Sequence, residues 1–273
     1  MQFKNKYLDL SKPQVMGVLN VTPDSFSDGG LFTNVDNALD QARKMVDEGA
    51  AIIDIGGEST RPGAQAVDEQ TELDRVIPVI ENIAKELDVI ISIDTSKANV
   101  MRHAVEAGAD MINDVAGLRG ENALSTAASL DIPVCVMHMK GEPRTMQTSP
   151  EYEDVVGEVK GFLAERKQAC LDAGIKEEQI ILDPGFGFGK TVQHNLEIMR
   201  GLPILMELNT PLLLGVSRKS TIGAILDRPV EERLYGSLAL ASLAAWFGVK
   251  IIRAHDVRAT LDALDTIHAI QQS

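Results

Sequence analysis

The stretch ILDPGFGFGK, residues 181–190, decides how the chain is read. It is glycine-rich, follows an apolar run and continues into Thr191, so it has the outline of a phosphate loop. A loop of the form G-x-x-x-x-G-K-[ST] cradles phosphates on its backbone N–H groups. Counting back from Gly189, Lys190 and Thr191, the first glycine of that pattern would stand at 184, where the sequence has Pro184. Proline has no N–H to offer. The dinucleotide pattern G-x-G-x-x-G fails as well, because Lys190 holds the last glycine position. What remains is a strand that delivers Asp183, then a tight turn at Pro184 and Gly185. The glycines let backbone, Phe186 and Phe188 lie close to a ligand. A plain connection with glycines for geometry fits the same residues.

Working outward, the apolar run before Asp183 is one of eight. The others are VMGVLNV (15–21), AIIDIGG (51–57), VIISIDT (89–95), MINDV (111–115), PVCVMH (133–138), PLLLGVS (211–217) and KIIRAH (250–255). Short runs rich in Val and Ile read as strands buried on both faces. A segment of helical period follows each one; in NALDQARKMVDEGA (37–50), Leu39, Ala42, Val46 and Gly49 share a face. Gly49, Gly108 and Gly174 stand where helices end before the next strand. Strand–helix alternation repeated eight times predicts an α/β fold of the (β/α)8 barrel type, a single domain over 1–273, with an open doubly wound sheet as the alternative. The segment EERLYGSLALASLAAWFG (231–248) is apolar almost all round, and reads as a helix partly covered by a second copy of the chain.

Length and composition fit this reading. The chain has 273 residues, 44% of them apolar, enough for one large core. A net charge of -14 argues against nonspecific binding to nucleic acid or anionic membrane. An anionic ligand would therefore need a local cluster of basic groups. Cys135 and Cys170 form no metal-binding spacing and read as two reduced thiols. The start MQFKNKYLDL has no apolar signal region, and no uncharged run reaches the roughly 20 residues of a membrane helix, so the expectation is a cytoplasmic protein.

In a barrel the carboxyl ends of the strands converge on one face. Those ends carry Asn20, Glu58, Asp94, Asn113, Met137 or His138, Asp183, Ser217 with Lys219, and Arg253 with His255. One aspartate at a strand end is usually a cap or turn residue; so many polar ends on one rim are hard to explain that way. Asp94, Asp183, Asn113 and Lys219 combine acceptors and donors that suit a flat heterocycle with an amino-pyrimidinone edge. A divalent-metal site or an acid/base pair fits the same residues. Lys219, Arg253 and His255 follow the seventh and eighth strands, where barrels often hold phosphate, although Arg253 and His255 could instead bridge acidic helices such as the one holding Asp256. Ser220 opens the next segment, where a helix start would favour an anion. The loops NVTPDSFSDGGLF (20–32) and GGESTRPGA (56–64) have the make-up of binding loops or lids. His103, His194 and His268 fall within helical patterns and are not expected to be ligands.

Taken together, MGVLNVTPDSFSDGG (16–30), IIDIGGESTRPGA (52–64), ISIDTSK (91–97), INDV (112–115), VMHMKGEPRTMQ (136–147), DPGFGFGK (183–190), GVSRKS (215–220) and RAHDV (253–257) closely resemble the dihydropteroate synthases. The match runs from the first strand to the last. The resemblance implies a homodimeric barrel that joins (7,8-dihydropterin-6-yl)methyl diphosphate to 4-aminobenzoate with Mg²⁺. It implies Asp94, Asn113, Asp183 and Lys219 as pterin contacts, with Met137 packed on the ring. Thr60, Arg61, Arg253 and His255 resemble the residues around the diphosphate, and Asn20 the Mg²⁺ position. Phe26, Pro62, Phe188 and Ser220 resemble the surroundings of the aminobenzoate. Arg253, His255 and Lys219 would carry the catalytic roles. The loop STRPGA lacks the insertion of some sulfonamide-tolerant members, which implies ordinary sulfonamide sensitivity.

Overall fold

The computed structural model of the chain describes residues 1–22, 31–59, 67–141, 146 and 150–273. A hairpin, β1 (Gln2–Phe3) and β2 (Lys6–Tyr7), precedes eight barrel strands. These are β3 (Gln14–Asn20), β4 (Ile52–Gly56), β5 (Ile90–Asp94), β6 (Met111–Asp114), β7 (Val134–Met137), β8 (Ile180–Asp183), β9 (Leu213–Gly215) and β10 (Ile251–Ala254). All pair in parallel in the order β8-β7-β6-β5-β4-β3-β10-β9. The ends meet where Leu182 bridges to Leu212, and the Leu182 N–H donates to the Pro211 carbonyl at 3.0 Å. The eight apolar runs are thus the eight barrel staves, and the open-sheet alternative falls.

Each stave is followed by helix: α1 (Leu31–Asp47), α2 (Glu69–Glu86), α3 (Ala98–Ala107), α4 (Ala123–Leu130), α5 (Val155–Asp172), the pair α6 (Val192–Arg200) and α7 (Leu202–Met206), the pair α8 (Ser220–Leu226) and α9 (Leu234–Trp246), and α10 (Val257–Gln272). The glycine stops behave as read from sequence. Gly108 ends α3 at φ +125°, its N–H returning to Ala104, and a Cβ there would lie 2.6 Å from Ala84.

Because strand side chains alternate, each stave has an outer and an inner set. The outer set, including Ile53, Ile55, Ile91, Ile93, Val134, Val136, Leu182 and Leu214, packs with the inward stripes of the helices. The inner set begins at the amino end with one apolar residue per stave: Met16, Ile52, Ile90, Met111, Cys135, Ile181, Leu213 and Ile251. Phe3, fully buried, packs into this ring with Leu8 and closes the floor of the barrel. No strand was expected before residue 15; two-residue strands are too short to show any period.

The apolar segment 231–248 resolves into a short turn and α9, with its small residues Ser237, Ala241, Ala244 and Ala245 against the barrel. Tyr235, Leu243 and Trp246 face out, beside Ile225, Leu226 and Val230, while Leu240 and Phe247 pack against the core. No helix among the described residues is long and apolar enough to cross a membrane. Both cysteines are buried and free.

Replacing Phe3 with Ala removes the stopper from the floor and is expected to lower unfolding stability by about 3 to 5 kcal/mol, read by urea titration of Trp246 fluorescence. An unchanged midpoint would show that the hairpin does not support the barrel.

Candidate active site

Above the apolar ring the inner set turns polar: Asp54 on β4, Ser92 and Asp94 on β5, Asn113 on β6, Asp183 on β8 and Arg253 on β10. Strand register sets them at matched heights, with Asn20 beside Gly56, Gly56 beside Asp94 and Asp94 beside Asn113. A Cβ on Gly56 would lie 3.9 Å from the Asn20 Oδ1 and 3.7 Å from the Asp94 Oδ2, so the three positions border one space.

Asp54 is the hub. Its Oδ2 accepts from the Arg253 Nε at 2.6 Å and from the Asn113 Nδ2 at 3.1 Å. The Arg253 Nη2 donates to the Asp94 Oδ2 at 2.9 Å. The fully buried Asp54 carboxylate thus joins three staves, and Arg253 extends the network to a fourth. Burial, then the neighbouring charge of Asp54, raises the pKa of the Asp94 carboxyl, and Arg253 opposes the rise. For Arg253, burial favours the neutral form, but Asp54 and Asp94 outweigh it and keep the guanidinium charged. The Asp54 Oδ1 and the Ser92 Oγ are buried and have no hydrogen-bond partner among the described residues.

Asp183 and Lys219 each favour the other's charged form against burial. Burial pushes the Asp183 carboxyl up to about 6, against the Gly185 N–H at 2.7 Å and the charge of Lys219. Burial and Arg253 bring the Lys219 ammonium down to about 8, with Asp183 opposing. The Lys219 Nζ lies 4.0 Å from the centre of the Phe188 ring, within cation–π range. Phe188 also borders the buried cluster of Met137, Met139 and Met146.

At the rim, the His255 Nδ1 lies 3.0 Å from the Ser217 Oγ. Desolvation and then the positive Arg253 and Arg218 lower its pKa. Asp256 is taken by the fork of Arg218 at 2.9 and 2.5 Å, so it is not what Arg253 or His255 bridges. Ser220 is the first, exposed residue of α8. Glu58 turns away from the centre, to Lys97 at 2.5 Å.

The structure brings together Asn20, Asp94, Asn113, Met137, Asp183, Lys219, Arg253 and His255, with Phe188 and Ser220 at the edge. Phe26, Thr60, Arg61 and Pro62 lie outside the described residues. Two groups were missed. Asp54 sits inside a run read as apolar, and only its inward parity with Gly56 betrays it. Lys190 was set aside with the phosphate-loop pattern; it is buried, and its Nζ meets the His138 Nδ1 at 2.9 Å.

The described residues hold no group of three or more His, Cys, Asp or Glu side chains able to bind a metal. Mg²⁺, however, usually keeps several waters and binds through one or two protein oxygens plus substrate phosphate. The Asn20 Oδ1, next to Asp94 at the rim of this space, fits that limited role.

Comparison with known proteins agrees with this geometry. Residues 16–255 match the family described as pterin binding enzyme. The dihydropteroate synthase of Haemophilus influenzae is 56% identical over 260 residues, covering 95% of this chain and 94% of the relative. The chain belongs to the pterin binding enzymes, among the dihydropteroate synthases. The Yersinia pestis dihydropteroate synthase, solved as a sulfonamide drug complex, superposes with a TM-score of 0.96 at 49% identity, covering 100% of this chain and 99% of that one. The Xanthomonas albilineans enzyme, solved in complex with 7,8-dihydropteroate, gives 0.89 at 46% identity, covering 97% and 96%.

Cutting Asp54 back to Ala leaves Arg253 without its inner partner. Breaking a fully buried pair costs about 3 to 5 kcal/mol, and the partial water access of Arg253 brings the expected loss to about 2 to 3 kcal/mol. Chemical denaturation measures it; a loss below about 0.5 kcal/mol, the size of a surface change, would show that the hub is dispensable.

Proposed function

We propose that this barrel joins (7,8-dihydropterin-6-yl)methyl diphosphate to 4-aminobenzoate, giving 7,8-dihydropteroate and pyrophosphate in folate synthesis. The observation that carries the reading is the polar layer inside the upper barrel, where Asp54, Asp94, Asn113 and Arg253 form one network beside Asp183 and Lys219. Ionised Asp183 and Asp94 accept from the N–H groups of the pterin, Asn113 both donates and accepts, and Lys219 donates to a ring acceptor. Met137 supplies an apolar surface for the ring. Arg253 and His255, with Thr60 and Arg61, take the diphosphate. Phe26, Pro62, Phe188 and Ser220 surround the aminobenzoate.

The reaction breaks the bond between the methylene carbon and the diphosphate oxygen, and pyrophosphate departs with the electron pair. Arg253 stabilises the charge that grows on it. Mg²⁺ held by Asn20 and the diphosphate would add Lewis-acid stabilisation of the same charge. The cation left on the methylene is conjugated with the ring, and Asp94 and Asp183 stabilise it at close range in a site of low dielectric. The aromatic amine is neutral at pH 7 and attacks the methylene; its surplus proton leaves after the C–N bond forms. No strong general base is required; burial, then the charges of Arg253 and Arg218, keep His255 neutral. The loops 20–32 and 56–64 would exclude water from the cation.

Sulfonamides, which imitate 4-aminobenzoate, are expected to compete with it, in line with the drug complex of the Yersinia pestis relative. The outward apolar residues of α8 and α9 support a homodimer, with a second copy covering Tyr235 and Trp246; light scattering measures it. Two buried free thiols support a reducing, cytoplasmic setting, with the chain acting as one barrel unit.

Purified protein given both substrates is expected to release pyrophosphate and form dihydropteroate in equal amounts; no release would overturn the reading. Arg253→Ala should lower turnover by about 100-fold or more, the scale of losing one preorganised charge partner of the leaving group. Turnover near wild type would remove Arg253 from that role. The pH profile of kcat/KM for the pterin substrate should be bell-shaped. Protonation of Asp94 and then of Asp183 removes acceptors as pH falls through about 7 and about 6, and deprotonation of Lys219 removes a donor as pH rises through about 8. In Asp183→Asn the acid limb should weaken; an unaltered limb would reassign it.

A further inference from the structure

Lys190 is buried where it forms no ion pair among the described residues, and burial lowers its pKa to about 7. Its three ammonium donors are all used. They reach the His138 Nδ1 at 2.9 Å, the Gly185 carbonyl at 2.9 Å and the Phe188 carbonyl at 3.1 Å. The acceptors come from the end of β7 and from both limbs of the glycine-rich turn after β8. Tyr152 adds a fourth tie, its hydroxyl donating to the Gly189 carbonyl at 2.8 Å. On its N-terminal side the turn is wedged against β7: at Gly185, with φ +67°, a Cβ would stand 1.9 Å from the His138 carbonyl oxygen. The opposite side of the turn carries Phe188, against the Lys219 ammonium and the methionine cluster.

Burying an ammonium among neutral acceptors costs more than burying a thioether of the same length. A glutamine offers only two donors, in one plane. The geometry calls for a tetrahedral fan of three donors that spans residues 138, 185 and 188. We propose that Lys190 is a positioning residue, which grips the backbone of the glycine-rich turn from behind and thereby fixes Phe188 over Lys219 for binding of the aromatic amine substrate. The assignment rests on the reading that Phe188 borders 4-aminobenzoate. Asp183 stays on its strand, tied to the turn only through the Gly185 N–H at 2.7 Å, so the larger effect falls on 4-aminobenzoate.

The test is a double-mutant cycle on the full chain with Lys190→Met and Phe188→Ala. Lys190→Met should raise KM for 4-aminobenzoate by about 10-fold, while kcat and the KM for the pterin diphosphate stay within about 3-fold, as for a misplaced substrate contact. The double variant should lose no more than Phe188→Ala alone, because the lysine acts through the ring. Hydrogen exchange of the amides of residues 185–189 should speed up by about 10-fold in Lys190→Met. Unchanged exchange, or losses that add, would overturn the proposal. Phe188→Ala with an unchanged KM would instead reject the reading of the amine site, and the exchange measurement would still judge the grip of Lys190. If Lys190→Met does not fold, Tyr152→Phe removes only the tie to Gly189. It should move KM and exchange in the same direction by about 3-fold; no change in either would count against the proposal.

Discussion

The contact between Arg253 and Asp54, 2.6 Å long and inside the barrel, is the constraint on which the rest of the site depends. It is poor at stabilising a fold in its own right, since each buried ion forfeits several kcal/mol of hydration and the attraction returns about as much. Its effect is geometric. Asp54 accepts from Asn113 as well, and Arg253 extends to Asp94, so staves distant in sequence are locked at one height. A binding face made of separate strand ends needs such a tie, because nothing in the apolar floor orients the polar groups above it.

The inner and outer residues of each stave divide the tasks. The outer residues bury against the helices, and the lowest inner ones fill the barrel around Phe3. Stability therefore resides below and outside, which lets the upper interior hold charges that work against stability. Burial drives Asp183 and Lys219 toward their neutral forms, and each holds the other back. The result is a pair that changes state near neutrality, in a chain whose acidic surface would otherwise repel a diphosphate. Arg253 and Lys219 supply the local basic groups that the net charge of -14 demanded.

Much of this was legible in the sequence because strand and helix repeats are local. Eight Val- and Ile-rich runs, glycine stops at 49, 108 and 174, and polar residues at strand ends place Asp94, Asn113, Asp183, Lys219 and Arg253 on one face. Asp54 escaped because IIDIG reads as a buried strand, and its charge is compensated by Arg253, 199 residues away. Lys190 escaped because its acceptors are backbone carbonyls, which leave no mark on composition. Glu58 was placed with the strand-end groups, but its partner Lys97 draws it away. Ser220 does open a helix, though one of only seven residues. The even apolarity of 231–248 concealed two faces, Ser237, Ala241, Ala244 and Ala245 inward with Leu240 and Phe247 packed on the core, and Tyr235, Leu243 and Trp246 outward.

The measurement closest to the central claim is the turnover of Asp54→Asn, with folding verified by circular dichroism. Asparagine keeps an oxygen for the Arg253 Nε but loses the charge that holds the guanidinium in line. The account predicts kcat lower by on the order of 100-fold, the usual consequence of shifting a catalytic group by an ångström. A folded Asp54→Asn protein that turns over at the wild-type rate would contradict it.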